Sequence, residues 1–396
     1  MNGARTWETW QERQARIDAA RRSPQALADL ARRVCEAVVF GGVDAVGITG
    51  TDPFPLVRAA IEARKQAGFD AGMSFTFKRP ERSTDPRQLL VGAATLVVGA
   101  RSYRRQPTAD PVGGHGGRVA QYQWTDHYGV LRAALADGGA LLRAEGWKAR
   151  VVVDDNALVD RAAAHRAGLG WWGKNANLLL PGKGSWFVLG SLVTDAPLPV
   201  SSAEPVADGC GPCTRCLPAC PTGAIVEPGV IDARRCLAWL VQAPGDIPHQ
   251  YRVAMGNRIY GCDDCQDVCP VNRLAERVAQ PPPAEPTALP WVALVDLVLA
   301  PREKILADHG RWYLPGRDTD ALRRNALVAL GNVGDPSSPE VRAAVAVCLA
   351  DPNPMVRRHA AWAAGRLGMK AELERVMGAE ADATVRQEIR DAPTGR

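Results

Sequence analysis

Eight of the chain's ten cysteines lie between Cys210 and Cys269. The first four stand at positions 210, 213, 216 and 220 and precede Pro221. Their spacing, C-x2-C-x2-C-x3-C-P, is typical of bacterial iron–sulfur ligands. Positions 262, 265 and 269 before Pro270 repeat this spacing one cysteine short, and Cys236 is the natural replacement for the missing ligand. The stretch predicts thiolate chemistry on iron.

Eight thiolates are the number that two [4Fe–4S] clusters require, because each cluster takes four. In two-cluster ferredoxins, the fourth cysteine of each run ligates the cluster of the other run. This rule predicts two ligand sets, which are Cys210, Cys213, Cys216 and Cys269 for cluster 1, and Cys220, Cys236, Cys262 and Cys265 for cluster 2.

Two other uses of these cysteines were weighed. Pairs of C-x2-C also bind zinc, but structural zinc sites use separated pairs rather than a triple C-x2-C-x2-C. Disulfides are disfavoured because nothing in the sequence resembles a secreted protein, and cytosolic thiols stay reduced. The two remaining cysteines, Cys35 and Cys348, fall within apolar helical patterns and are interpreted as core residues.

Length and composition set broad limits. The 396 residues predict two or three domains, and 46% apolar residues are ordinary for a globular protein. The balance of 48 basic against 43 acidic residues gives a net charge of +5, which permits a polyanionic partner without requiring one. No apolar run reaches the ~18 residues of a membrane span. The charged N-terminal residues lack a signal-peptide pattern, so the expected location is the cytoplasm, with no membrane partner.

Periodicity predicts strands alternating with helices over residues 23–200, which indicates an α/β (α+β) domain. Ser23-Pro24 opens the first helix, whose apolar positions begin at Leu27. The expected strands are Val43–Ile48, Leu90–Ala100, Val151–Val153 and Trp186–Val193, and the further helices are Pro55–Ala67, Tyr128–Gly146 and Asp160–Ala167. The glycine-rich segment Val112–Gly117 is predicted to be a flexible loop.

The remaining chain divides at linkers. Residues 1–22 are expected to form a polar helical extension, and residues 197–205 a short linker. A cluster domain is predicted over 201–279, followed by a proline-rich spacer at Gln280–Pro286. Over 287–396, the motif at 323–331 recurs at 357–365, which predicts a helical HEAT-like domain packed on the main body.

Candidate catalytic residues lie in residues 151–177. Asp154 and Asp155 follow a strand of expected parallel type, where ligands collect in open sheets, so a desolvated acid here could donate a proton. The alternative is that one aspartate only caps a helix. Asp160 and Arg161 are interpreted as a structural pair. Lys174-Asn175 follows glycines that let a ligand approach the backbone, yet no dinucleotide or Walker fingerprint is present.

The paired arginines of the repeat allow two interpretations. Arg323-Arg324 and Arg357-Arg358 occupy equivalent positions in the two copies. They could line a surface that faces phosphates, or they could lie on a solvated helix face. The sequence leaves both open.

These motifs together resemble the epoxyqueuosine reductase family. The resemblance rests on VD-x6-R from Asp154, on G-x-GWWGKN from Gly168, on CGxCxxCxxxCPTGAI and GNRxYGCDDCQxVCPxN around the cysteines, and on the HEAT-like tail. It covers residues 24–370. It implies a cobalamin-binding domain related to reductive dehalogenases, two [4Fe–4S] clusters and a C-terminal HEAT-like domain. The implied reaction reduces the epoxide of epoxyqueuosine in tRNA to queuosine, the last step of queuosine biosynthesis, with loss of water.

The resemblance also implies roles for individual residues. Asp154 corresponds to the family's proton donor. The residues it places around cobalamin are Arg82, Asp154, Lys174, Asn175, Leu178, Ser185, Leu189 and Asp263. Gln242 corresponds to a tRNA-facing segment, and further candidate tRNA contacts are Arg258, Arg323, Arg324, Arg357 and Arg358. The chain departs from the family pattern at Asp126-His127-Tyr128, where the last two residues are exchanged, and at Asp155-Asn156-Ala157.

The function hypothesis is therefore an oxidoreductase that passes electrons through the two clusters to cobalamin and on to the tRNA epoxide. An external low-potential electron donor is expected, and the protein is expected to be a monomer. The alternatives are a cobalamin-dependent reductive dehalogenase, disfavoured by the HEAT-like tail and the lack of an export signal, and a non-catalytic ferredoxin-type carrier, which leaves the large α/β domain unexplained.

Overall fold

The N-terminal part of the chain forms a four-stranded sheet covered by helices on both faces. The computed structural model describes residues 23–110, 116–201 and 206–395, so the predictions for 1–22, 112–115 and 202–205 lie outside the described residues. The elements of this part are α1 (Pro24–Phe40), β1 (Ala45–Gly50), α2 (Pro55–Gln66), α3 (Pro80–Ser83), β2 (Thr95–Ser102), β3 (Gly116–Val119), α4 (His127–Ala144), β4 (Ala149–Val153), α5 (Asp160–Arg166), β5 (Trp171–Trp172), β6 (Leu178–Leu179) and β7 (Phe187–Thr194).

The strands are ordered β1-β2-β7-β4, and every neighbouring pair is antiparallel. The prediction of a parallel-type strand before Asp154 is therefore wrong. Alternation along each strand sends side chains to opposite faces. Val97 packs with α1 and α4, for example against Val34 and Leu135. Leu96 and Val98 face the other side, toward α5.

The first helix forms where it was predicted. The Ser23 side chain accepts the N–H of Ala26, which gives a hydrogen-bond partner to an amide that the helix itself leaves free. Pro24 in the first turn has the backbone φ that a helix start requires. The predicted apolar positions from Leu27 to Val38 are the buried ones.

The cysteine-rich part consists of short elements joined by turns. They are α6 (Cys216–Ala219), β8 (Ile225–Glu227), β9 (Val230–Ile231), α7 (Leu237–Leu240), α8 (His249–Met255), β10 (Arg258–Tyr260), α9 (Asp264–Asp267) and α10 (Pro270–Val278). β3 pairs in parallel with β10 and antiparallel with β11 (Trp291–Ala293). The prediction of a loop is thus wrong at Gly116 and Gly117, which lie in β3.

The C-terminal part is helical. Its helices are α11 (Leu294–Leu299), α12 (Arg302–His309), α13 (Asp320–Val333), α14 (Pro339–Cys348), α15 (Pro354–Arg366), α16 (Lys370–Met377) and α17 (Ala383–Arg390). The repeated motif lies on α13 and α15, which pack closely enough that a Cβ at Gly331 would meet the Trp362 ring at 2.5 Å. One apolar core joins these helices to Leu240, Ile247 and Ile259, so the tail packs on the main body as predicted.

The two cysteines outside the cluster stretch differ in burial. Cys348 is buried in the C-terminal core, as expected. Cys35 is half-buried and packs at the edge of the core formed by α1 and α4. None of the helices in the described ranges combines the length and the hydropathy that a bilayer crossing requires.

Candidate cofactor and active site

The cysteines predicted for cluster 1 lie around one cavity. Cys210 and Cys213 are held in a turn by a 3.0 Å hydrogen bond from the N–H of Cys213 to the carbonyl of Cys210. Cys216 begins α6, and Cys269 immediately precedes α10. The cavity is lined by all four, together with Lys174, Asn175, Leu179, Gly209, Arg215, Pro270 and Val271. Residues far apart in sequence thus present four thiols to one space.

The cysteines predicted for cluster 2 are also neighbours. Cys220 follows α6, and Cys236 precedes α7. Burial raises the pKa of the Cys265 thiol well above its usual value, and the nearby Cys262 and Cys236 raise it further. Burial likewise raises the pKa of Cys236, with a contribution from Cys220. Buried thiols that crowd one another in this way become stable thiolates when they bind a cationic metal centre.

Asp154 occupies the turn after β4. Its φ of 51° is left-handed, a conformation in which aspartate and asparagine are enriched among non-glycine residues. The side chain reaches solvent, but the surrounding protein raises the pKa of its carboxyl by desolvation. Arg132 opposes that increase and Asp155 adds to it. Asp155 itself accepts the N–H of Ala157 at 2.8 Å, which is a capping role. One acid caps the turn, and the other is available for proton transfer.

Asp160, the first residue of α5, forms no salt bridge with Arg161 among the described residues, although the Arg161 charge lowers the pKa of Asp160 against the larger effect of burial. Arg161 donates instead to the carbonyl of Ala176 at 3.2 Å. Oδ1 of Asp160 is buried without a hydrogen-bond partner in the described residues. Burial raises the pKa of Asp160 well above its usual value, and the nearby Asp154 raises it further. Asp160 thus lies beside Asp154 with a carboxyl pKa raised above its ordinary value.

Three tyrosines that no sequence motif singled out lie between the Asp154 turn and the cysteine-rich part, with Tyr103 buried and Tyr122 and Tyr128 half-buried. Burial raises the pKa of Tyr128 most, and the negative charge of Asp154 raises it further. Burial also raises the pKa of Tyr103, which lies near Asp263, and of Tyr122, which lies near both acids. All three phenols therefore remain hydrogen-bond donors.

Asp263 lies between two predicted ligands, Cys262 and Cys265. It is buried and accepts the backbone N–H of Gln121 at 2.8 Å. Burial raises the pKa of Asp263 to about 7, despite that hydrogen bond. A carboxyl group of the cluster segment is thereby held against the segment that leads into α4.

A buried hydrogen-bond network joins the sheet domain to the cysteine-rich part at Ser185. Its N–H donates to Oδ1 of Asn272 at 2.7 Å, and Nδ2 of Asn272 donates to Oγ of Ser185 at 3.0 Å. Nε2 of Gln266 donates to the same Oγ at 3.1 Å and to the hydroxyl of Tyr103 at 3.0 Å. Gly184 permits this approach, because a Cβ there would lie 2.2 Å from Oδ1 of Asn272.

The five arginines predicted to contact tRNA are committed to intramolecular partners. None has more than 18% of its side chain exposed. The four paired arginines are therefore not freely solvated, and the role of all five at tRNA phosphates stays a prediction. Their partners are Asp264 for Arg258, Asp320 and Asp351 for Arg323, Glu380 for Arg357, and Asp246 for Arg358.

Arg324 is the extreme case, because it is completely buried. Its guanidinium donates to the carbonyls of Ala243 at 2.8 Å and Leu240 at 3.1 Å, and also to Gly245. Burial lowers its pKa to about 10, so it remains charged at neutral pH. Gln242 lies in the segment that Arg324 holds and donates to the carbonyl of Ala238 at 2.7 Å.

Comparison with known proteins agrees with this organisation. Residues 209–272 match the family described as 4Fe-4S double cluster binding domain, and residues 313–392 match HEAT repeats. Both predictions are thereby confirmed at the level of the domain type.

Relatives match over nearly the whole chain. The epoxyqueuosine reductase of Bacillus anthracis is 33% identical over 366 residues, which cover 88% of this chain and 92% of the relative. This chain belongs to the epoxyqueuosine reductase family. A crystal structure of epoxyqueuosine reductase with an epoxyqueuosine-modified tRNA-Tyr stem loop has 30% sequence identity and a TM-score of 0.83, over 92% of this chain and 98% of the other.

A second solved structure, of the Bacillus subtilis epoxyqueuosine reductase, has a catalytic loop that bears an aspartate swung out of the active site. Its TM-score is 0.82 at 30% identity, again over 92% of this chain and 98% of the other. The predicted family is confirmed by these comparisons.

The departures from the epoxyqueuosine reductase pattern have local explanations in this structure. Asp126 caps α4 by accepting the N–H of Gly129 at 2.8 Å. His127 is buried, and burial together with Arg105 and Arg101 lowers its pKa to about 4. The exchange thus places a neutral imidazole in the interior and Tyr128 beside Asp154.

The residues that the epoxyqueuosine reductase resemblance places at cobalamin are found in three settings. Asp154, Asp263 and Ser185 lie near the three tyrosines described above. Nζ of Lys174 donates to the carbonyl of Gly211 at 2.6 Å and Nδ2 of Asn175 donates to that of Cys265 at 3.4 Å, so both contact the cysteine-rich part. The remaining three are Leu178 and Leu189, buried in the apolar layer beside α5, and Arg82, half-buried in α3.

Proposed function

We propose that this protein reduces the epoxide of epoxyqueuosine in tRNA to the alkene of queuosine. The observation that carries the proposal is the full-length match to epoxyqueuosine reductases, because it includes the cluster segment and the HEAT repeats together. A dehalogenase or a simple electron carrier would leave the C-terminal helices without a purpose. The reaction consumes two electrons and two protons and releases water.

The ligand sets proposed for the two [4Fe–4S] clusters are the two groups of neighbouring cysteines, with Cys269 in the first and Cys220 in the second. In the cluster 2 set, burial raises the pKa of the Cys236, Cys262 and Cys265 thiols. Cluster 1 opens to the surface through its cavity. This arrangement supports electron entry at cluster 1 and transfer inward to cluster 2.

Cobalamin is proposed to bind in the space bounded by Asp154, Asp263 and the three tyrosines. When bound, it supplies a low-valent cobalt centre for two-electron reduction. The phenols and carboxyl groups suit the amide side chains of a corrin, and Oδ1 of Asp160 is an orphaned buried atom at this site. Ser185 and Asn272 would fix the wall of this space by their mutual hydrogen bonds.

Asp154 is the proposed proton donor to the epoxide oxygen. Its raised pKa keeps a proton available closer to neutral pH than an ordinary aspartate would, which makes the oxygen a better leaving group. Burial also raises the pKa of Asp160 beside it, and the nearby Asp154 adds to this increase. The left-handed turn presents Asp154 at the mouth of the site rather than within β4.

Besides Gln242 and the five arginines, the cations proposed to contact tRNA are two that form no ion pair in the part of the chain that the structure describes. Lys78 and Arg79 are exposed and precede α3, which ends at Ser83. The carbonyl of Ser83 accepts the N–H of Val159 at 3.0 Å, so this segment is attached to the loop that contains Asp154. Phosphate contacts in this position would hold the wobble nucleotide toward the catalytic acid.

The proposal also covers the compartment, the oligomeric state, the electron donor and the domain bounds. We propose a cytoplasmic monomer with an external low-potential electron donor, and the domain division 23–200, 201–279 and 287–396 with residues 1–22 as an extension.

The test is anaerobic conversion of the substrate. The full chain is reconstituted with iron, sulfide and cobalamin, reduced, and incubated with tRNA that carries epoxyqueuosine. Digestion and mass spectrometry then measure the loss of one oxygen atom. Conversion that requires cobalamin supports the proposal. No conversion, with both clusters present and cobalamin bound, would overturn it.

A further inference from the structure

The helix that follows the last cluster cysteine carries an unusual exposed face. α10 begins directly after Cys269, and two of its apolar residues lie in solvent, with Leu274 60% exposed and Val278 80% exposed. They are four residues apart and therefore adjacent on one side of the helix. Exposed apolar residues that cluster in this way mark interaction sites.

Cations flank this apolar pair. Arg273 and Arg277 are also four residues apart and exposed, and Arg277 makes no ion pair among the described residues. Nε of Arg273 donates to the backbone carbonyl of Asp267 at 3.1 Å, and Arg273 forms no ion pair within the described ranges. Glu276 faces inward and forms a 2.7 Å salt bridge with Arg104.

The patch adjoins the cavity of the cluster 1 cysteines. Arg215, exposed beside Cys216, lines that cavity together with Pro270 and Val271 of α10. We call Arg215, Arg273, Leu274, Arg277 and Val278 the α10 surface. It combines an apolar pair with neighbouring cations, next to the cavity lined by the cluster 1 cysteines.

We propose that the α10 surface docks an acidic one-electron carrier protein of the flavodoxin or ferredoxin type, which reduces cluster 1. The proposal rests on the proposed function, since it identifies the class of partner that supplies the electrons. Complementary charge favours rapid encounter, and a small interface permits rapid release, both of which suit electron-transfer partners. In each encounter the reduced carrier loses one electron and cluster 1 gains it, with no bond made or broken. Two encounters supply one epoxide reduction.

The experiment measures cluster reduction without tRNA. The reconstituted full-length protein is mixed anaerobically with reduced flavodoxin in a stopped-flow instrument, and the loss of iron–sulfur absorbance is followed at several salt concentrations. The test variant is Arg273→Glu with Arg277→Glu. The matched control is Arg302→Glu with Arg375→Glu, two exposed arginines of α12 and α16. Dithionite serves as a donor that needs no docking surface.

The expected result is a rate with flavodoxin that falls at least about tenfold in the test variant and depends less on salt, because a steering charge has been reversed. The control variant should match the unaltered protein, and dithionite should reduce all three equally. Leu274→Ser with Val278→Ser should also slow reduction by flavodoxin alone.

Two results would overturn the inference. The first is an unchanged flavodoxin rate in the α10 variants. The second is an equal loss with dithionite, which would mean that the substitutions damage the cluster. Because substrate is absent, a failure of the proposed tRNA reaction would appear only in the separate conversion assay.

Discussion

The guanidinium of Arg132 donates to the backbone carbonyl of Val153 at 2.8 Å, which places a cation beside the residue that precedes Asp154. The same cation lowers the pKa of Asp154 against the larger effect of desolvation. The catalytic candidate is therefore positioned and tuned by one side chain of α4. Two predictions follow from this arrangement, one about the acid and one about the cation.

Replacing the acid should abolish turnover without disturbing the fold. Asp154→Asn keeps a side chain that tolerates the left-handed backbone, but it removes the proton. We expect a fall of at least about a hundredfold in tRNA conversion, since general acids contribute about 10²–10⁴-fold. Cobalamin and iron contents should be unchanged. Asp155→Asn, which keeps the acceptor for Ala157, is the control and should lose less than about tenfold. Equal activity of the two variants would refute the role of Asp154.

Removing the cation should shift the pH dependence of the reaction. The reactive form of Asp154 is protonated, so kcat/KM should decrease as pH rises through its raised pKa. Arg132→Gln removes the group that lowers this pKa, and the decreasing limb should therefore move to higher pH. Arg132→Lys, which retains the charge, should restore the original position. A limb that stays fixed or moves to lower pH in Arg132→Gln would contradict this explanation.

Replacing Cys236, which lies between the two cysteine runs, should remove one cluster. Cys236→Ala deletes a proposed thiolate of cluster 2, and we expect iron to fall from about eight to about four atoms per chain. Electron paramagnetic resonance of the reduced protein should then show a single cluster. Cys35→Ala, outside the cluster segment, should retain both. About eight iron atoms in Cys236→Ala would exclude this cysteine as a ligand.

Arg324 is expected to stabilise the protein rather than bind tRNA. Arg324→Met would leave the carbonyls of residues 240–245 without their donors, at a cost of about 1–3 kcal/mol for each. The free energy of unfolding, from urea titration of the loaded protein, should fall by at least about 2 kcal/mol. Arg375→Met on the surface should change it by less than about 0.5 kcal/mol. If Arg324→Met instead weakened tRNA binding at unchanged stability, the arginine would be a phosphate contact.

Binding of tRNA should depend on the cations before α3. Lys78→Gln with Arg79→Gln removes two candidate phosphate contacts, so the slope of log Kd against log salt should decrease by about two. The control is Arg302→Gln with Arg375→Gln, which removes equal charge from the HEAT-like helices. An identical slope in both pairs would place the phosphate contacts elsewhere.

The cysteine spacing predicted its chemistry because the constraint is local. Short gaps between Cys210 and Cys220 determine which sulfurs can reach one centre, and no distant contact alters that. The exchange of Cys269 into the first group followed from the same spacing rule. Helix α1 could also be predicted from the sequence, because its cap and its apolar positions lie within one segment.

The strand directions and the partners of the arginines could not be predicted from the sequence in this way. Alternation of strands and helices suggested parallel pairing, whereas neighbours in the sheet depend on how the chain returns through space. Gly116 and Gly117 looked like a loop, but β10 lies so close that a Cβ on Gly117 would be 2.9 Å from Ile259. Arg324 resembled a surface residue because its acceptors are about eighty positions away in sequence.

The position of Cys269 beside Cys210, Cys213 and Cys216 has a consequence for how the protein is made. The ribosome synthesises the first five cysteines of the cluster segment before it reaches residue 262. At that stage neither proposed cluster has its four ligands, since one lacks Cys269 and the other lacks Cys262 and Cys265. Both sites become complete within the synthesis of eight residues. The delivery of iron and sulfide is therefore a late and nearly simultaneous event in the maturation of this chain.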